Sequence, residues 1–158
     1  MELTSTKTKY KEMDYNGSGK SELLYHQEFS DGTALAVVNC RGSHPCGYIK
    51  FPGVEFIDTY DDFEIEWDND PENIDDWDYI PGGFTFLGGL KHLGLEGTWI
   101  GWDYAHLGDW TQCGPPETDS FSHDEEEKHT TREIIKLARK ALRRIREGKV
   151  FKSEDLEP

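Results

Sequence analysis

Only one stretch of the chain repeats its apolar residues at helical spacing, and it lies near the C-terminal end. Ile134, Ala138, Ala141, Leu142 and Ile145 share one face. Thr130 with Glu133 reads as a capping box, and Gly148 supplies a C-terminal stop. Lys136, Arg139, Lys140, Arg143 and Arg146 fall off the apolar stripe. Everything before this helix reads as short strands punctuated by glycine and proline. The runs are 33–39, 47–51, 63–67 (FEIEW, apolar and acidic in strict alternation), 84–87 and 98–104. About five strands and one terminal amphipathic helix predict an α+β fold: a mainly antiparallel sheet with the helix packed on one face.

The 158 residues predict a single domain over 21–152, preceded by a polar arm or edge strand at 1–20 and followed by an acidic tail at 153–158. No long apolar run and no apolar signal region is present, so the reading is a soluble, cytoplasmic protein without a membrane role. Charge is strongly segregated within the net −15. Residues 1–127 carry −20, residues 128–152 carry +8, and the segment 55–78 holds 12 Asp/Glu with no Lys or Arg. Such a body repels duplex nucleic acid. Its acidity is either plain solubilising surface or, as a decoy, an imitation of phosphate spacing for a nucleic-acid-binding host protein.

The richest chemistry lies in GTWIGWDYAHLGDW, residues 97–110, where Asp103, His106 and Asp109 recur every third position. If the chain turns sharply after the strand, Asp103 can orient the His106 imidazole for acid–base or ligand-gripping work. Turn chemistry accounts for the same residues, with Asp109 capping the turn and His106 bonded to a carbonyl. Trp102 offers a flat face for stacking, although tryptophan is more often core. Because Trp99 and Ile100 point to opposite sides, and the helix covers one face only, the other face is expected to hold a pocket or a partner surface. Cys40-x3-His44-x-Cys46 offers three soft ligands, and with Cys113 as a fourth they suffice for a structural zinc, but no Cys-x2-Cys pair is present and lone buried cysteines serve as small hydrophobes. The odd thiol count reads as reduced cysteines, and no metal or cofactor is expected. Pro81-Gly82-Gly83 lacks the lysine and the helix of a phosphate-binding loop.

The order CGYIKFP, acidic strand and loop, PGGFTFLGG, WIGWDYAHLGDW and terminal helix, over residues 46–147, resembles a widespread family of small phage and prophage proteins without an established activity. The matching family stretches are Gly-Tyr-Val-x-Val-Pro, His-Gly-Gly-Leu-Thr-Phe and Trp-x-Gly-Phe-Asp-Cys-Ala-His-x-Gly-Asp. The resemblance carries Gly82, Gly83 and Thr85, and Asp103, His106, Gly108 and Asp109, onto the family motifs. Pro81 replaces the family His and Tyr104 the family Cys. Loss of that His favours binding over catalysis. The resemblance implies a phage-type accessory protein, with a counter-defence role, that binds a small nucleotide-like ligand or a host protein through Gly82, Gly83, Thr85, Trp102, Asp103, His106 and Asp109. A small metal-assisted hydrolase using Asp103, His106 and Asp109 is the rival from another class.

Overall fold

The computed structural model describes residues 3–54, 84–105, 109–112 and 127–147. Among the described residues six antiparallel strands make one open sheet: β1 (Ser5–Tyr10), β2 (Glu22–Phe29), β3 (Ala34–Cys40), β4 (His44–Lys50), β5 (Phe86–Leu90) and β6 (Leu95–Asp103). Their order across the sheet is β1-β2-β3-β4-β6-β5. Among the described residues, one α-helix, α1 (Thr131–Arg146), crosses β2, β3 and β4 on one face, giving the α+β architecture. The N-terminal segment supplies the edge strand β1. FEIEW and the acidic 55–78 segment lie outside the described residues.

The alternation within each strand divides the molecule into two apolar layers. Leu35 and Val37 of β3, Ile49 of β4, and Ile100 and Trp102 of β6 face α1 and pack with Ile134, Ala138, Ala141 and Leu142. The opposite face carries Ala34, Ala36, Leu90, Leu95 and Trp99, bordered by Tyr48 and Phe86. Trp99 and Ile100 thus take opposite sides, as alternation requires. Trp99 is nevertheless fully enclosed: its indole N–H donates to the Glu96 carbonyl at 3.0 Å, and the Lys50 ammonium sits 5.0 Å from its ring centre.

Strand β2 departs from alternation. A register shift between Leu23 and Tyr25 lets Leu24 and Tyr25 both enter the helix-side core. At the C-terminal end of β3, the chain reverses through a tight loop over residues 41–43. Arg41 (φ 56°) and Gly42 (φ 75°) are both left-handed, and the Ser43 N–H donates to the Cys40 carbonyl at 3.0 Å, the pattern of a type I′ turn. This tip is fastened from outside. Gly17 N–H donates to Gly42 O, Gly19 N–H to Arg41 O, and Gln112 N–H to Ser43 O, all at 2.9–3.0 Å.

Candidate functional site

Of the residues singled out in the sequence, Thr85, Trp102, Asp103 and Asp109 fall within the described residues. Gly82, Gly83, His106 and Gly108 lie outside the described residues. Thr85 is exposed, and its N–H donates to Gly101 O at 2.8 Å. Trp102 is 1% exposed; it packs edge-to-face on Phe84 and donates its indole N–H to the Tyr104 hydroxyl at 3.1 Å. Asp103 ends β6, and its Oδ1 accepts from Ala105 N–H at 3.3 Å, the turn-forming contact of an Asx turn.

Asp109 is carried to the N-terminus of α1. There it accepts from His129 Nε2 at 2.8 Å, while Glu133 accepts from Nδ1 at 2.9 Å, so the imidazole spans two carboxylates. The other Glu133 oxygen accepts from Thr130 N–H at 2.7 Å and closes the capping box. Tyr15 grips the His129 backbone on both sides, donating to its carbonyl and accepting from its N–H at 2.9 Å. Burial opposes a charge on His129, but the hydrogen bonds and negative charges of Glu133 and Asp109 outweigh it, so its pKa is raised. Burial pushes the Tyr15 phenol up to about 12 against the opposing backbone bond from His129. With both ring nitrogens and both Glu133 oxygens engaged, this arrangement works as a clamp, fixing the 109–112 segment to the helix. The sequence singles out Glu133 only as a capping-box residue and does not single out His129.

A groove lies between β1 and α1. Register pairs Lys7 with Gln27 and Tyr10 with Tyr25, which turns Lys7 and Tyr10 toward the helix. From α1, Arg132, Ile135, Lys136 and Arg139 follow i, i+3, i+4, i+7 spacing and complete the walls. The cavity is about 340 Å³. Arg139 is braced by Gln27 Oε1 (3.0–3.2 Å) and the Tyr25 hydroxyl (3.1 Å), and Tyr10 meets Tyr25 edge-on at 6.1 Å. Tyr10 is 46% exposed, and its hydroxyl donates to Glu12 at the rim. Among the described residues, Lys7, Arg132, Lys136 and Arg139 form no ion pair with a carboxylate, unlike Lys11 with Glu22 or Arg146 with Asp31. A larger cavity, about 490 Å³, opens near Leu3, Phe51, Pro52 and Ile145. Its cation, Arg146, is occupied by Asp31 Oδ2 at 2.8 Å and Thr33 Oγ1 at 2.7 Å, so the smaller groove is the better anion receptor.

Two groups bring potential metal ligands within 4.8 Å of one another: Glu127, His129 and Glu133 in the clamp, and Cys40, His44 and Cys46 at the β3–β4 tip. In the second, hydrogen bonding from Cys46, then from His44, holds the Cys40 thiol well below its usual range, and the Cys46 thiol is raised by the same pairing and by burial. Among the described residues no helix is long and apolar enough to cross a membrane. Compared with family models, curated proteins and solved structures, the chain matches none.

Proposed function

We propose that the protein acts by binding, holding a small, anionic, nucleotide-like ligand in the groove between β1 and α1. The observation that supports this is the set of four cations, Lys7, Arg132, Lys136 and Arg139, gathered around two tyrosine rings without carboxylate partners among the described residues, on a chain of net charge −15. Guanidinium and ammonium groups converging from a strand and a helix suit phosphate oxygens. The half-exposed Tyr10 ring gives a base a face to stack on. Sequestering such a ligand without turning it over agrees with the phage-type accessory role that the resemblance over residues 46–147 implies, and with Pro81 standing where that family carries a His.

Equilibrium titration with AMP, ADP and inorganic phosphate tests this reading. Arg132 and Lys136 carry little packing, so Arg132→Gln and Lys136→Gln are expected to leave folding unchanged. Each removes a charge-assisted contact of roughly 1.5–3 kcal/mol, weakening nucleotide binding about ten-fold or more. Recovery of the nucleotide intact after prolonged incubation is expected as well. Equal affinity of wild type and both variants, or no binding of any of the three probes, contradicts the reading.

A further inference from the structure

We propose that Cys40, His44 and Cys46 form a zinc site at the tip of the β3–β4 hairpin. The sequence offers these three as ligands without a Cys-x2-Cys pair; the hairpin does the gathering instead. Register places Cys40 directly across from His44, and Cys46 follows two positions further along β4, so all three occupy the sheet face opposite α1. Their ligand atoms already lie within 4.8 Å of one another. Bond lengths of about 2.3 Å to sulfur and 2.0–2.1 Å to nitrogen need only a modest closing of that triangle.

The support around the triangle is of the kind a metal site needs. The type I′ turn allows little play, and three hydrogen bonds from two chain segments, one at Gly17 and Gly19 and one at Gln112, hold its backbone. Asn39 adds a fourth tie, accepting from Gly42 N–H at 2.9 Å and donating to the Asp14 carbonyl at 3.0 Å. The His44 Nδ1 lies 3.0 Å from Ser43 Oγ, an outer contact that orients the ring. On β6, Asp103 is the register partner of Cys46 and shares its face, adding negative charge beside a cation site. Two sulfurs and an imidazole select a borderline-soft ion such as zinc over magnesium or calcium. Three protein ligands leave a fourth tetrahedral position for water or a ligand oxygen. On binding, each thiol that was protonated releases its proton to solvent. The other group, Glu127, His129 and Glu133, offers carboxylate and imidazole donors without sulfur, which separates the two groups spectroscopically.

The test is titration of the reduced full-length chain with cobalt(II), then displacement by zinc. The proposal expects one equivalent bound, sulfur-to-cobalt charge-transfer absorption in the near ultraviolet, tetrahedral visible bands, and loss of both when zinc is added. Cys40 and His44 are only half-buried, so Cys40→Ser and His44→Asn are expected to keep the wild-type circular dichroism while weakening metal binding by at least about ten-fold. Absence of sulfur-to-cobalt absorption overturns the proposal. So does wild-type affinity in both folded variants, which places the metal elsewhere on the chain. If either variant unfolds, alkylation of wild-type thiols decides: zinc must protect Cys40 from modification, and unchanged modification in saturating zinc overturns the site.

Discussion

Gly47 and Gly101 lie under each other's aromatic neighbours across the β4–β6 pair. Trp102 is the register partner of Gly47 and covers it on the helix side, while Tyr48 is the partner of Gly101 and covers it on the other side. A Cβ at Gly47 would stand 2.4 Å from the Trp102 ring, which is fully buried and has nowhere to go. Gly47→Ala is therefore expected to cost at least the 1–3 kcal/mol typical of overpacking, about the same as or more than losing a core methyl group, read from the denaturant midpoint. An unchanged midpoint contradicts the packing described. His129 gives a second prediction at this scale. Its folded pKa is raised above the ordinary 6.5, so its stabilising effect is complete below that value and is lost as pH rises through the folded one. Subtracting the His129→Gln unfolding free energy from the wild-type value should give a difference that is largest at mildly acidic pH and shrinks above neutrality. A difference that grows with pH contradicts the two-carboxylate clamp.

Among elements, α1 was the most readable in the sequence, since the capping box and the apolar stripe are local signals. The observed helix begins one residue after Thr130, with Glu133 N–H donating to Thr130 Oγ1 at 3.3 Å. Thr130→Ala is expected to cost about 0.5–2 kcal/mol, and Thr130→Ser much less, by thermal or denaturant unfolding. Equal loss in both variants would mean that the hydroxyl cap is not the cause. The strands were less evenly readable. β3 and β6 announced themselves by β-branched or glycine-bounded runs, whereas β4 begins three residues before the 47–51 run and β5 shares only Phe86 and Leu87 with the 84–87 run, taking in Gly88 and Gly89 as well. β2 did not announce itself, because the bulge at Leu23–Tyr25 breaks its alternation and sends two consecutive residues inward. The groove is not legible in the sequence for a different reason. Its stripe of Arg132, Lys136 and Arg139 is visible on the helix, but the facing Lys7 and Tyr10 come from an N-terminal segment more than 120 residues away, and only the edge pairing of β1 brings them there. The Cys40–His44–Cys46 triangle likewise depends on strand pairing, which residue spacing does not express. Of the candidate site residues read from the sequence, Asp109 is built into the His129 clamp and Trp102 into the core, whereas His106, Gly82 and Gly83 fall outside the described residues.

At the scale of the whole molecule, the decisive property is the placement of charge. An acidic body of net −20 over residues 1–127 and a basic C-terminal segment of +8 over residues 128–152 meet along α1, so the groove concentrates positive potential on a chain that otherwise repels anions. An anionic ligand steered to it should bind more weakly as ionic strength rises through the range where the Debye length falls below about 10 Å. The most direct measurement is amide-resolved NMR of the nitrogen-15-labelled chain titrated with AMP at low and at high salt. Binding in the groove predicts the largest shift changes at Lys7, Tyr10, Arg132, Lys136 and Arg139, with affinity reduced at high salt. No shift changes, or changes confined to the segment around Asp103 and Asp109 with the β1–α1 groove silent, would contradict it.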